Sequence, residues 1–357
     1  VKAEPNNNWD LAFRTGFATD GIRINSTGAS ESAARTVKLY AYPNSDTSGW
    51  NNFDTSNYTT WTQLQNTDTS WDFGAFNISS TGFPDFSWGV YNMQSHVITG
   101  DSLYLLSISF QGMTYLKKLW IKDKTFGNYT FTYANVDGSN ENTYTIKNSD
   151  FTGVNLMYFN ILTGTEVKRE PATSSWDMVW TRYDALLAEE NVYYPSTGIL
   201  TNYGVEVAKA AKIDVNTVNE QDYSSAYTNS IGAIGADWKY FDMTSFRFMV
   251  EDSTVYFVKD KAGDIWKIQF TSFNGATMGA NGKTEFTKTK LTSSGLSNQN
   301  INKNDLLVYP NPATQNLFIV NTFKGINNQV QIFDLNGKLI VNQSVNTNGF
   351  SALEFNI

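Results

Sequence analysis

The chain has 357 residues, a formal net charge of −8, one histidine and no cysteine. Disulfides, thiolate metal sites, iron–sulfur clusters and cysteine nucleophiles are excluded, and no basic stripe exists to neutralise the phosphates of a nucleic acid. Aromatic residues at 15% against 17% charged residues describe a folded, strand-forming chain, and no apolar run approaches the about 18 residues of a membrane-spanning helix.

In chain order, the first segments return once. Val1-Lys-Ala-Glu-Pro5, Trp9-Asp10 and Phe13 match Val167-Lys-Arg-Glu-Pro171, Trp176-Asp177 and Trp180. Gly21-Ile-Arg-Ile-Asn25 matches Gly198-Ile-Leu-Thr-Asn202. Trp88, Tyr91, Met93, Ser95 and His96 fall on Trp238, Phe241, Met243, Ser245 and Phe246 without a gap. Gly112-Met-Thr-Tyr115 matches Gly263-Asp-Ile-Trp266, and Gly127–Phe131 matches Gly282–Phe286. The period is far longer than the about 20–50 residues of a solenoid unit. It implies two tandem domains of one fold, at 1–150 and 151–291.

Most segments read as strands. Tyr104–Phe110, Tyr115–Ile121, Asn128–Tyr133, Val255–Lys259 and Ile265–Phe270 are β-branched and aromatic. Ala262-Gly263-Asp264 is a hairpin turn. Short helices are expected at Asp184–Glu190 and Val205–Ala211. The apolar run Leu156–Gly164 precedes the second repeat and has no equivalent before the first, so domain one is expected to lack its first strand.

The Trp-Asp followed by an apolar-x-Phe/Trp pair, the Gly-Ile-x-x-Asn turn and the Val-Tyr-Phe-Val … Gly-x-x-x-Lys-Ile-x-Phe hairpin resemble the HmuY-like family of secreted Bacteroidota proteins. That resemblance covers roughly residues 1–291. It implies an antiparallel all-β fold and, for some members, haem capture through paired histidine or methionine side chains. With one histidine, a bis-histidine site within the chain is ruled out. A His96–Met93 pair is acceptable axial chemistry, with Met113 across a hairpin. Against it, His96 and Met93 align with Phe246 and Met243, which reads as packing.

Trp9-Asp10 and Trp176-Asp177 offer an indole beside a carboxylate. The alternative reading makes each Trp a core anchor and turns each Asp outward, toward Arg14 or Arg182. Between Pro43 and Pro84 lies an aromatic insertion around Tyr40, Tyr42, Trp50, Phe53, Tyr58, Trp61 and Trp71. Trp50, Trp61 and Trp71 are candidate glycan-stacking residues; a small satellite core is the alternative. No nucleophile elbow, phosphate loop or calcium loop is present, so the chain is read as a non-catalytic binding protein with no resident cofactor.

Residues 292–304 are a polar linker. Beyond it, Tyr309-Pro310-Asn311-Pro312 precedes the alternating strand Leu317–Val320, and Val330–Leu335 runs into Asp334-Leu-Asn-Gly337-Lys338. The prolines fix two φ angles, and Asn336-Gly337 signals a type I′ hairpin. These residues resemble the type A C-terminal sorting domain of the type IX secretion system of Bacteroidota, a small immunoglobulin-like β-sandwich at 305–357. The resemblance implies export across the outer membrane of a Gram-negative cell and recognition by a translocon, an outer-membrane shuttle and a sortase. The resemblance further implies that Tyr309, Pro310, Asn311, Pro312, Asp334, Gly337 and Lys338 carry the sorting signal. Family members continue past a segment like Leu353–Asn356, so this domain is expected to be cut short, and Val1 to be a processed start. The whole reads as an all-β, secreted, cell-surface cargo with glycan or haem as ligand.

Overall fold

In a computed structural model the chain forms two compact units, Val1–Leu291 and Thr292–Ile357. Residues 3–16, 20–27, 35–43, 46–187, 192–275 and 282–291 are described in the first unit, and 306–309, 316–321, 324–334, 336–348 and 351–356 in the second. Both are built from antiparallel strands; the helical turns among the described residues are short 3₁₀ turns.

Repeat one contributes β1 (Leu11–Arg14), β2 (Ile22–Ile24), β3 (Arg35–Ala41), β4 (Gln63–Leu64), β5 (Gly89–Asn92) and β6 (Val97–Gly100). It continues with β7 (Leu103–Phe110), β8 (Met113–Thr125), β9 (Asn128–Asn135) and β10 (Asn142–Ile146). Two further strands follow, β11 (Leu156–Asn160) and β12 (Thr165–Val167). The main sheet runs β10-β9-β8-β7-β3-β4, with β6 bonded to β8 and carrying β5. Against it lies the small sheet β12-β11-β1-β2. Between them Leu11, Phe13, Trp88, Tyr129, Phe131 and Phe159 are fully buried.

Repeat two contributes β13 (Met178–Leu187), β14 (Val192–Thr201), β15 (Glu206–Ala211) and β16 (Lys239–Asp242). Then come β17 (Arg247–Val250), β18 (Thr254–Lys259), β19 (Ile265–Asn274) and β20 (Lys283–Leu291). The order β15-β18-β19-β20 reproduces β3-β7-β8-β9, β16–β17 reproduces β5–β6, and β13–β14 reproduces β1–β2. Register carries the duplication further. Leu11 faces Ile24 and Phe13 faces Ile22, as Met178 faces Thr201 and Trp180 faces Ile199. A register shift breaks β8–β9 after Ile121 and β19–β20 after Phe270, the two residues that face Phe131 and Phe286.

Local chemistry repeats too. Asn25 Nδ2 donates to the carbonyls of Asn6 and Trp9; Asn202 Nδ2 donates to those of Thr173 and Trp176. That clamp explains the terminal Asn of Gly-Ile-x-x-Asn. It closes the strand-entry loop on itself in both copies.

Five expectations are corrected. Asp184–Leu187 lies in β13 and residues 206–211 form β15, because both segments are held in ladders whose pairing overrides their helix-forming Ala, Glu and Leu content. Glu189 and Glu190 lie outside the described residues. The strand Leu156–Asn160 expected at the head of repeat two is bonded to β1, with Leu11 opposite Phe159. Trp9 and Trp176 are only half-buried, and the core anchors are instead Trp88 and Trp238, 0% and 1% exposed. Asp10, expected outward, is fully buried; its Oδ2 accepts from Arg35 Nη1 at 3.0 Å and from the Ile161 N–H at 2.7 Å. Arg14 pairs with Asp72 rather than Asp10.

The two repeats meet along a polar seam. Asp72 Oδ1 takes Arg14 Nε at 2.9 Å and the Tyr203 hydroxyl at 2.7 Å. Asn155 Nδ2 donates to Asn202 Oδ1, and Trp71 Nε1 to the Thr201 carbonyl. Glu170 Oε2 accepts the N–H groups of Asn155 and Leu156. Burial raises the Glu170 pKa to about 7, opposed by those two N–H groups; burial likewise raises Asp10 and Asp20 to about 6. These carboxyls bind protons more tightly folded than unfolded. Their stabilisation is complete below the unfolded pKa and is lost as pH rises through the folded one. The melting temperature is therefore expected to be higher at pH 5 than at pH 7, and Glu170→Gln to flatten the upper part of that fall. A melting temperature that climbs from pH 5 to 7 contradicts the assignment.

The second unit holds β21 (Leu306–Tyr309), β22 (Asn316–Asn321), β23 (Lys324–Phe333), β24 (Leu339–Asn348) and β25 (Ser351–Asn356). They form a three-stranded sheet, β21-β22-β25, and the hairpin β23–β24.

Candidate functional site

Two regions carry function-bearing residues, the aromatic insertion of repeat one and the hairpin of the second unit. The insertion folds over the outer face of the main sheet. Trp50 and Phe53 pack with Tyr40, Leu103, Leu105 and Ala134 into a satellite cluster. Trp50 is 8% exposed and fully engaged. Its Nε1 donates to Glu141 Oε2, Lys118 Nζ lies 4.4 Å from its ring centroid, and the same amine donates to its carbonyl. Trp71 is drawn elsewhere, into the seam between repeats, under the Arg23 guanidinium. Trp61 stays half-exposed at the rim.

At that rim a shallow cleft of about 180 Å³ is lined by Tyr42, Pro43, Asp54, Asn57 and Trp61. Two contacts set its aromatic wall. Tyr42 stacks on Phe53 at 4.3 Å and meets Trp61 edge-on at 5.2 Å. The loop makes a short turn at Tyr58–Thr60. Asp54 Oδ1 accepts the Ser56 hydroxyl and N–H, which hold its carboxyl below the usual range and keep it charged. The Asn57 side chain does not cap the turn it precedes, which leaves its amide facing solvent. Apolar faces beside an ionised carboxylate and an amide can stack one sugar ring and bond its hydroxyls. The volume is below the about 300–1,000 Å³ of a small-molecule pocket, so the cleft suits one ring held at a surface.

His96 and Met93 sit at the tip of the β5–β6 hairpin, Met93 72% exposed. His96 Nδ1 lies 2.7 Å from the Tyr91 hydroxyl. His96 and its counterpart Phe246 share a left-handed conformation, φ 57° and 53°. In each turn the Asn92 or Asp242 side chain accepts the N–H groups two and three residues on, those of Gln94 and Ser95 or Thr244 and Ser245. The tip is thus one turn type used twice. Met113 stands on a different hairpin, at the β7–β8 junction.

In the second unit, Asp334 Oδ1 accepts the N–H groups of Asn336 and Lys338 at 2.9 Å each. The Gly337 N–H donates to the Asp334 carbonyl, the Asp334 N–H to the Lys338 carbonyl, and Gly337 takes φ 81°. These two main-chain bonds join Asp334 to Gly337 and Lys338, so the expected type I′ turn is instead a wider loop closed by a left-handed glycine. The spacing Asp-x-x-Gly-Lys is the covalent form of that loop. The carboxylate must reach two amides, and the fourth residue must tolerate φ > 0. Asp260–Asp264 builds the same loop in repeat two, with Gly263 at φ 85°. Tyr309 ends β21, opposite Phe318. Pro310, Asn311 and Pro312 lie outside the described residues, as does the linker 292–304.

Residues 307–357 match the family described as the secretion system C-terminal sorting domain. The chain carries a type IX sorting domain. It is accordingly a cargo of that secretion system, secreted or held at the cell surface, and its sorting domain is where the secretion machinery engages it. Comparison with curated proteins and with solved structures returned no match. No helix among the described residues is long and apolar enough to cross a membrane.

Proposed function

We propose that this chain is a non-catalytic surface binding protein of a Bacteroidota bacterium, its body two HmuY-like domains and its ligand a glycan. The observation that carries the ligand is the rim cleft, where Trp61 and Tyr42 stand beside the charged Asp54 and the unengaged Asn57 amide. Trp50 and Trp71 support the fold beneath and beside it, and Trp61 is the stacking residue. Haem capture at His96 and Met93 is the less favoured reading, because both side chains stand on a hairpin tip whose counterpart carries Phe246 and Met243.

A glycan array probed with the full chain, Trp61→Ala and Trp50→Ala decides the matter. Trp61→Ala is expected to lose binding at least about tenfold, the equivalent of one stacked ring, while the chain stays folded. Trp50→Ala is expected to lower stability by about 3–5 kcal/mol through the cavity it leaves. An array without a single hit, or hits indifferent to Trp61, ends this reading.

A further inference from the structure

The repeats differ most at one edge. In repeat one, β11 covers the outer edge of β1 and β10 covers that of β9. Phe13 and Phe131 stack at 5.1 Å, with Phe159 of β11 at 5.0 Å and Tyr144 of β10 at 6.0 Å from Phe131. Both members of the stacked pair are 0% exposed. Repeat two rebuilds the pair as Trp180 and Phe286, stacked at 5.4 Å, without the cover. Among the described residues β13 pairs only with β14, and β20 only with β19. Trp180 is 39% exposed, and Asp177 is exposed where its counterpart Asp10 is buried against the chain beyond β11.

The backbone is turned the same way in both copies. Ile22 and Ile24 donate away from β1, to Asn77 and Asn66; Ile199 and Thr201 donate away from β13, to the Gly235 and Ile231 carbonyls. Their opposite residues, Met178 and Trp180, therefore point N–H and C=O to the outer edge. No described residue bonds these groups. Further along, Thr27 Oγ1 occupies the Arg182 carbonyl and closes the free stretch.

We infer that this edge is a strand acceptor. An extended segment of another polypeptide, with large apolar side chains at alternate positions, adds antiparallel to β13 and lays an aromatic ring over Trp180 and Phe286. Repeat one shows the fit, since Leu156-Met-Tyr-Phe-Asn160 does this to β1 through Met157 and Phe159. Main-chain bonds supply affinity and the aromatic floor supplies selectivity.

The probe is a synthetic peptide of residues 154–167, titrated into the full chain and followed by anisotropy and amide exchange. Saturable binding is expected, with exchange at Met178 and Trp180 slowed at least about tenfold. Trp180→Lys, or Phe159→Asp in the peptide, is expected to weaken binding at least about tenfold. The idea is overturned by a folded chain that does not bind, or by protection elsewhere. It is equally overturned if the two amides are already protected in the free chain, or if Trp180-dependent self-association makes a second copy the occupant.

Discussion

A chain lacking residues 305–357, produced in its own bacterium, is expected to accumulate in the periplasm. The effect is all-or-none, because removing an address leaves the body folded but undelivered. Among the described residues, the body's core clusters and ladders lie within the compact unit Val1–Leu291, so the body is expected to fold without the tail. Subtler damage should act through the hairpin. Asp334→Ala removes the acceptor for the Asn336 and Lys338 N–H groups, and Gly337→Val forces a β-branched side chain into φ 81°. Fractionation with immunoblotting checks all three. Normal export of the deleted chain would refute the sorting role; reduced export of Asp334→Ala with an intact body would place the hairpin in it.

The second large effect is on stability. Asp10 and Arg35 form an ion pair whose side chains are 0% and 3% exposed. Neither group can be left alone there. Removing one partner from a buried pair costs about 3–5 kcal/mol, because the other charge stays buried and uncompensated. Asp10→Ala also orphans the Ile161 N–H, unfastening the end of β11 from β1. Arg35 further lies 4.3 Å over the Phe110 ring, so its loss removes a second contact. Urea unfolding of Asp10→Asn, Arg35→Met and the double variant is expected to show strong non-additivity, the double variant losing less than the sum of the singles. Simple additivity would mean that the two charges do not depend on each other.

Much of this architecture was legible in the residues. Alternating aromatics gave the ladders, and the Gly-Ile-x-x-Asn and Trp-Asp repeats gave the duplication; the Asn25 and Asn202 clamps came only with the structure. Asn336-Gly337 gave the hairpin but not its turn, which the Asp334 carboxylate and the left-handed Gly337 set. Non-local choices were not legible. Nothing in Leu156–Asn160 says that it bonds β1 rather than opening repeat two, since an apolar strand fits either edge. The burial of Asp10 depends on Arg35, 25 residues away, arriving from β3. Asp184–Leu187 carries helix-forming residues but sits in a long hairpin whose ladder decides its state. At the rim, sequence crowded Trp50, Trp61 and Trp71 into one insertion. Side-chain partners separated them, Glu141 and Lys118 taking Trp50 inward and Thr201 taking Trp71 to the seam. Asp54 and Asn57 were missed; the Asp-x-Ser spacing of Asp54 and Ser56 was their available signal.

The type IX machinery delivers the chain to the outside. The direct measurement is protease accessibility of the full-length chain on intact cells and its amount in the medium, compared between the parent bacterium and one without the translocon. The chain is expected outside the parent cells and protected inside the translocon-deficient ones. Equal accessibility in both strains would contradict the account.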